Sequence, residues 1–218
     1  MATEIPAASS TKAATSPPTT PSRLLHRRLV DFDIALSHWI HTACLPVPRC
    51  LLKALEISGD GRFWFPIPIS LLPFSSRSPI LIGLILGSLF DLLLIGLIKH
   101  LVRRPRPVYN KDMHLTFAVD HWSFPSGHSS RVFFIAAFLN LYADPFRLLL
   151  RSHRWVQGYY GGEPADLFLM FISAWSVATS ASRVLLGRHF VLDVITGACL
   201  GVLEAVLLVC LSKLYINR

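Results

Sequence analysis

The sequence predicts an all-α protein, a multi-pass transmembrane helical bundle with about five spans. Its 218 residues are 52% hydrophobic and only 16% charged, with a mean hydropathy of +0.49, which is too apolar for an ordinary soluble domain of this length. Residues 79–98 give an apolar stretch in which Asp91 is the only charged residue, long enough to cross a bilayer core of roughly 30 Å. The other candidate spans are 129–143, 166–184, 190–212 and the Pro-rich segment 63–74.

The domain boundaries follow the composition. Residues 1–22 are mostly Ala, Ser, Thr and Pro, so they are predicted to form a disordered tail that cannot bury enough apolar surface to fold. Residues 23–58 mix apolar and charged side chains and are predicted to form amphipathic helices at the membrane surface. The transmembrane domain is predicted over 59–212, with a short tail at 213–218. Segment 63–74 is either a kinked first span or a re-entrant segment.

Charge and cysteine content restrict the partners. Lys and Arg total 21 against 13 Asp and Glu, a net charge of +8 that predicts anionic partners. Nucleic acid is not expected, because the cations flank the spans and form no basic stripe with interleaved aromatic residues. The expected partner is therefore the bilayer, together with an anionic lipid. The four cysteines lack CxxC pairing and are interpreted as small buried apolar residues, without a disulfide framework or a zinc site.

Three charged clusters stand at the ends of the predicted spans. They are KHLVRRPRP at 99–107, SFPSGHSS at 123–130 and SRVLLGRHFVLD at 182–193. The exit of span 79–98 and the entry of span 129–143 share one membrane face, and two more crossings return the chain to that face near residue 184. The sequence therefore predicts that all three clusters meet on one side of the membrane.

The cations and the Pro-Ser-Gly turn of these clusters suit a tetrahedral oxyanion. Arg106 and Arg183 offer planar forks to phosphate oxygens, and Lys99 offers a point charge. Ser126 and the amides around Gly127, at the start of a helix, add donors at the positive end of its dipole. We expect these five residues to bind a phosphate group.

Two histidines in the same clusters point to phosphoryl transfer. His189 and Asp193 stand at i and i+4, which on a helix places them on one face, so Asp193 can fix the tautomer of the imidazole and stabilise its charge. The other ring nitrogen of His189 would attack phosphorus, while His128 would act as general acid and then as general base. No acidic cluster of the metal-site type is present, so no metal and no cofactor are expected.

These motifs resemble the signatures of the type 2 phosphatidic acid phosphatase superfamily. The matches are K-x6-R-P from Lys99 to Pro107, P-S-G-H from Pro125 to His128, and S-R-x5-H-x3-D from Ser182 to Asp193. The resemblance covers roughly residues 60–212 and implies a membrane phosphohydrolase of the phosphatidic acid phosphatase type 2/haloperoxidase class. It also implies independence of Mg²⁺, a phosphohistidine intermediate and the residue roles given above. The short chain and the stretch Arg103–Asn110 look more like the small lipid and polyisoprenoid diphosphate phosphatase branch than the six-span lipid phosphate phosphatases.

The leading hypothesis is a phosphatase that acts on phosphatidate or an isoprenoid diphosphate. A non-catalytic lipid-phosphate binder or transporter is the alternative, which would not need His128 and His189. A haloperoxidase-like activity ranks third, because such relatives are soluble. The endoplasmic reticulum membrane is the expected location, with a plastid membrane as the alternative.

Charged residues outside the matched motif positions are given structural roles. Arg103 and Arg104 are interpreted as phospholipid contacts, and Arg188 as a headgroup or packing residue. Asp91 and Glu204, which lie within spans, are expected to pair with a cation of the bundle or to be protonated.

Overall fold

A computed structural model describes residues 21–74, 78–109, 121–151 and 164–216. The helices are α1 (Pro21–Ala43), α2 (Arg49–Ser58), α3 (Gly61–Trp64), α4 (Pro66–Leu71), a 3₁₀ turn (Leu72–Phe74), α5 (Pro79–Val102), α6 (Gly127–Leu141), α7 (Ala143–Arg151), α8 (Pro164–Leu185) and α9 (Val191–Ile216). Within these segments the extended structure is limited to an isolated bridge between Pro105 and Trp122. The predicted all-α class is confirmed.

The predicted ends of the chain differ from the observed helices. Residues 1–20 of the predicted tail lie outside the described residues, and Pro21 and Ser22 already begin α1. At the other end α9 continues to Ile216, so much of the predicted tail 213–218 is helical.

Three helices of the described segments are long and apolar enough to cross a membrane: Pro79–Val102, Pro164–Leu185 and Val191–Leu214. The predicted span 129–143 falls on the 15-residue helix α6, which is shorter than the roughly 20 residues of a typical span. Segment 63–74 is broken into short helical pieces, because its prolines cannot donate the hydrogen bonds that a continuous helix needs.

Helix α6 lies at the centre of the bundle and packs most extensively against α9 and α8. Its apolar side chains point in several directions, and Val132, Phe134, Ile135 and Phe138 are almost completely buried. A helix that is apolar on all sides is stable only when other helices surround it. The position of α6 fixes the position of Ser126–His128 at its N-terminal end.

The contact between α6 and α9 depends on two glycines. A Cβ atom added to Gly197 would collide with the main-chain oxygen of Ser126, and one added to Gly201 would collide with that of Ser130. Small residues allow such close approach of helix backbones in membranes. The glycines therefore bring the start of α9 next to the N-terminus of α6.

The outer faces of the long helices are apolar, as in proteins that contact lipid. Exposed side chains of α5 include Leu89, Phe90, Leu93 and Leu97. The expectation that the cysteines are buried is wrong for three of the four: all are free thiols, Cys44 is half-buried, and Cys50, Cys199 and Cys210 are exposed on the protein surface. Apolar surroundings in lipid remove the need to bury a small apolar side chain within the protein.

Helix α1 turns polar groups toward the bundle and apolar groups outward. Asp33 and Ser37 are buried, whereas Leu25, Phe32 and Trp39 are exposed. Oγ of Ser37 accepts the N–H of Val191 at 2.9 Å, and Oδ1 of Asp33 accepts the N–H of Leu192 at 3.0 Å. These side chains satisfy amide groups at the start of α9 that a helix leaves without an internal partner.

Candidate active site

The three charged clusters meet at one end of the bundle. Nη1 of Arg106, after α5, lies 3.3 Å from Nε2 of His189, in the turn between α8 and α9. Nδ1 of His189 lies 2.8 Å from the main-chain oxygen of Ser123, before α6. The N–H of Ser126 donates to the main-chain oxygen of Asp193 at 2.9 Å. The predicted convergence of the clusters is confirmed by these contacts.

His189 is held in the tight turn that follows α8. Gly187 has a φ of 71°, which glycine adopts without strain, and this turns the chain back. The N–H groups of Arg188 and His189 both donate to the main-chain oxygen of Arg183, at 2.9 and 3.2 Å. Only 1% of His189 is exposed. The turn thus fixes the imidazole among the cations of the site.

The surroundings of His189 define its protonation. The Ser123 carbonyl can only accept, so Nδ1 carries the proton and the lone pair lies on Nε2. Burial, together with the charges of Arg106, Arg183 and Lys99, holds the pKa of His189 well below its usual value. The imidazole is therefore neutral near neutral pH, which is the form that can attack phosphorus.

The predicted pairing of His189 with Asp193 differs in detail. His189 precedes α9, which begins at Val191, so the two residues do not share a helical face. Nδ1 of His189 and Oδ2 of Asp193 are 3.7 Å apart, an ion-pair distance that is too long for a hydrogen bond. The tautomer is therefore set by Ser123, and Asp193 can act on the imidazole through its charge.

The carboxylate of Asp193 is fully buried and has other partners. Oδ2 accepts the Oγ–H of Ser123 and the N–H of Phe190, the latter at 2.9 Å. Oδ1 accepts Nη1 of Arg104 at 2.7 Å. These bonds hold the carboxylate in one orientation, directed at the turn that carries His189.

The predicted phosphate ligands surround the imidazole. Lys99 and Arg183 are buried, and Nη1 of Arg106 donates to the main-chain oxygen of Arg188 at 2.8 Å. Nη1 of Arg183 is paired with a carboxylate, whereas its Nε makes no hydrogen bond within the described segments. A buried guanidinium with an unused donor is a suitable partner for an anion.

Ser126 and Gly127 form the N-terminal end of α6. Oγ of Ser126 accepts the N–H of Ser129 at 3.4 Å and its hydroxyl at 3.1 Å, and so caps the helix. Gly127 is the first helical residue. Their predicted role in binding phosphate stays a prediction.

His128 follows in the first turn of α6. Its Nε2 is buried and makes no hydrogen bond to the described residues. The charges of Arg183, Arg131 and Lys99 act on its ring, as does His189. His128 therefore lies in the same cationic pocket as His189, and its role as acid and base stays a prediction.

Two charged partners of the site were not predicted from the sequence. Oε1 of Glu56, on α2, lies 2.5 Å from Nη1 of Arg183 and 3.2 Å from Nε of Arg188. Burial raises the pKa of Glu56, but the two cations outweigh it and hold the pKa below its usual value. Asp33, on α1, lies 2.6 Å from Nη2 of Arg104. No spacing in the sequence links either residue to the motifs, which lie far along the chain.

The interpretation of Arg104 as a phospholipid contact is wrong, because its guanidinium lies between the carboxylates of Asp33 and Asp193 and is only partly exposed. Arg188 is buried and paired with Glu56, which agrees with a packing role and not with a headgroup contact. Arg103 is exposed and donates from Nε to the main-chain oxygen of His100 at 2.8 Å.

The described segments hold no group of three or more His, Cys, Asp and Glu side chains that could bind a metal ion. Within the bundle, Asp91 lies 3.7 Å from Arg131. This is the pairing with a cation that was expected for Asp91.

A helical membrane bundle with a buried His among cations at its helix ends defines a class of membrane phosphohydrolases. Residues 80–216 match the PAP2 superfamily, so the chain belongs to this family, as its motifs indicate. It is 40% identical over 185 residues to a probable lipid phosphate phosphatase beta of Arabidopsis thaliana, covering 81% of this chain and 87% of the relative. It is 28% identical over 174 residues to an undecaprenyl-diphosphatase of Sulfolobus acidocaldarius, covering 79% and 74%.

Two solved structures share the fold. A transmembrane PAP2-type phosphatidylglycerolphosphate phosphatase from Bacillus subtilis superposes with a TM-score of 0.67 at 22% identity, over 85% of this chain and 87% of the other. LpxE of Aquifex aeolicus superposes with a TM-score of 0.57 at 25% identity, over 80% and 93%.

Proposed function

We propose that this protein is an integral membrane phosphohydrolase that releases phosphate from a lipid phosphate or diphosphate through a phosphohistidine on His189. The observation that carries the proposal is the surroundings of His189: Nδ1 is occupied by the Ser123 carbonyl, and Nε2 faces the guanidinium of Arg106. The lone pair of Nε2 faces a phosphate-binding cation, and a phosphate group that takes over this Arg106 donor would lie next to the nucleophile.

The reaction has two steps. In the first, Nε2 of His189 forms a bond to phosphorus, the bond from phosphorus to the lipid oxygen breaks, and His128 gives that oxygen a proton. In the second, water attacks phosphorus, His128 takes a proton from it, and the N–P bond breaks to release phosphate. Phosphoryl transfer needs mainly positioning and charge neutralisation, which Lys99, Arg106 and Arg183 supply.

The phosphate dianion also prepares His128 for the first step. Burial, together with the charges of Arg183, Arg131 and Lys99, holds the pKa of His128 well below its usual value. Bound phosphate brings negative charge that offsets these cations, so that the imidazolium can form when substrate is present.

The substrate class is inferred from the place of the site. The site lies at the ends of apolar helices whose outer faces suit lipid, so a headgroup can enter while its tail stays in the bilayer. The relatives named as a lipid phosphate phosphatase and an undecaprenyl-diphosphatase support phosphatidate and isoprenoid diphosphates as candidates. The exposed apolar side of α1 supports a place for this helix in the membrane interface.

A substrate panel tests the proposal. Purified protein in detergent and a metal chelator is given phosphatidate, lysophosphatidate, sphingosine phosphate or farnesyl diphosphate, and released phosphate is measured. We expect turnover of at least one substrate by the wild type and by His100→Ala, an exposed histidine, but not by His189→Ala. Binding of these lipids without any phosphate release would favour the binder or transporter.

We also propose the endoplasmic reticulum membrane as the location, with a plastid membrane as the alternative. The apolar helices α5, α8 and α9 support a membrane location, and the choice between these two membranes is what the test decides. A fluorescent fusion compared with markers of both membranes tests the assignment.

A further inference from the structure

Helix α1 contacts the turn that carries His189 along one face. Its contacting residues, Asp33, Ser37 and His41, are spaced by four positions. Asp33 accepts the N–H of Leu192 at 3.0 Å, and Ser37 accepts the N–H of Val191 at 2.9 Å. Nδ1 of His41 lies 2.7 Å from the main-chain oxygen of Leu185. Residues at this spacing lie on one side of a helix. The N-terminal helix therefore supports both ends of the 185–192 turn.

Arg104 joins this helix to the site. Its Nη2 donates to Oδ2 of Asp33 at 2.6 Å, and its Nη1 donates to Oδ1 of Asp193 at 2.7 Å. The guanidinium also lies 4.1 Å from the centre of the Phe190 ring. The side chains of Asp33 and Asp193 are 2% and 0% exposed and that of Arg104 is 15% exposed, so water screens these charges little.

We propose that Asp33 and Arg104 are positioning residues for the reaction of His189, an inference that rests on the proposed function. Arg104 holds the carboxylate of Asp193 toward the His189 turn. Asp33 offsets the charge of Arg104, so that the set Asp33–Arg104–Asp193 keeps one net negative charge beside the imidazole.

The need for this charge follows from the chemistry. When Nε2 of His189 bonds to phosphorus, the imidazole becomes positively charged and a nearby negative charge stabilises it. A pair of Arg104 and Asp193 alone would be neutral and would stabilise it less. Arg106, Arg183 and Lys99 act on His189 as cations. The carboxylate of Glu56 pairs with Arg183 and Arg188, so the negative charge next to the imidazole comes from Asp193 and its set.

The test compares Asp33→Asn, Arg104→Gln and the double variant. Removing the charge of Asp33 should lower the pKa of His189, removing that of Arg104 should raise it, and the double variant should return close to the wild type. The titration is followed by NMR of ¹⁵N-histidine-labelled protein in detergent, with His189→Gln to assign the signal. This measurement does not require turnover, so it is separate from the test of the proposed function.

Kinetics give the second measurement. We expect kcat of Asp33→Asn to fall about tenfold with little change in KM, as for residues that orient a reacting group through another side chain. Asp33→Glu, which keeps the charge, should keep the wild-type titration of His189. The matched controls are Asp31→Asn and Arg103→Gln, exposed neighbours that should change neither measurement.

Thermal unfolding of each variant shows whether the bundle remains folded. The proposal is supported if the pKa of His189 moves in opposite directions in the two single variants and returns close to the wild-type value in the double variant. A change of the His189 pKa in the same direction in both single variants, or no change in either, would overturn it. If Asp33→Asn does not fold, the test uses Arg104→Gln and Asp33→Glu. An unchanged pKa of His189 in Arg104→Gln would then overturn the proposal.

Discussion

The imidazole of His189 is hydrogen-bonded to the main chain of Ser123, at 2.8 Å from Nδ1 to the carbonyl oxygen, and not to the carboxylate of Asp193, which lies 3.7 Å away. Main-chain atoms cannot be removed by side-chain substitution, so the tautomer of His189 should survive changes at Asp193. What Asp193 contributes is charge and the placement of Ser123, whose hydroxyl it accepts.

Loss of the Asp193 charge should therefore be less damaging than loss of the nucleophile. We expect Asp193→Asn to reduce kcat by roughly 10²- to 10³-fold, short of the ~10⁴-fold loss that follows when the tautomer of a catalytic histidine is also wrong. Steady-state phosphate release measures the effect. A loss as complete as that of His189→Ala would show that Asp193 does more than supply charge.

The pH dependence of activity should follow His189. Since burial and three nearby cations lower the pKa of this histidine, its reactive neutral form persists below pH 6.5, the usual histidine value, and is lost only as the pH falls through the lowered pKa. The acid limb of kcat/KM, which reports the free enzyme, should therefore lie below that of an ordinary histidine.

Removing the Arg106 charge should move the acid limb of the pH profile to higher pH, because a positive charge near Nε2 of His189 no longer opposes protonation. Profiles of kcat/KM against pH for the wild type and Arg106→Gln check the sign. A downward shift in Arg106→Gln would contradict the assignment of this limb to His189.

Glu56 should weaken the binding of phosphate to the free enzyme. Its carboxylate pairs with Arg183 and Arg188, and Glu56→Gln leaves these buried cations without that negative charge. We expect inorganic phosphate and vanadate to inhibit Glu56→Gln several-fold more tightly, with a lower unfolding temperature because buried cations lose a partner. Asp144→Asn, at a surface ion pair, is the control and should change neither value. Unchanged inhibition in folded Glu56→Gln would mean that this carboxylate does not compete with phosphate.

The packing of α9 on α6 should tolerate no side chain at Gly201. A Cβ there collides with the main-chain oxygen of Ser130, so Gly201→Ala should destabilise the fold by about 1–3 kcal/mol. Gly96→Ala is the matched control, since a Cβ at Gly96 meets nothing within 4 Å and alanine favours the helix. Thermal unfolding in detergent compares the two, and an equal effect of both substitutions would contradict the packing argument.

Much of the site could be predicted from the sequence because motif spacing and the alternation of spans determine it. Lys99, Ser126 and His189 belong to segments whose order across the membrane brings them to one face. Hydropathy also located α5, α8 and α9, since long apolar runs need lipid or burial.

The remaining features depend on packing that the sequence pattern does not encode. Helix α6 is shorter than a typical span and is enclosed by other helices, and composition alone does not show whether lipid or protein surrounds an apolar helix. Arg104 was interpreted as a lipid contact because it stands among exposed cations, but its side chain is directed inward by two carboxylates. Asp33 and Glu56 come from helices that precede the motifs by many residues, and only the folded chain places them in the site.

The central claim is a covalent phosphohistidine at His189, and trapping it is the most direct test. Protein in detergent and chelator is mixed with a lipid phosphate carrying ³²P, quenched in alkali, where phosphohistidine is stable, and digested for peptide mapping. The account predicts label on the peptide that contains His189 in the wild type and none in His189→Ala. Phosphate release by the wild type without labelled protein, or label retained in His189→Ala, would contradict it.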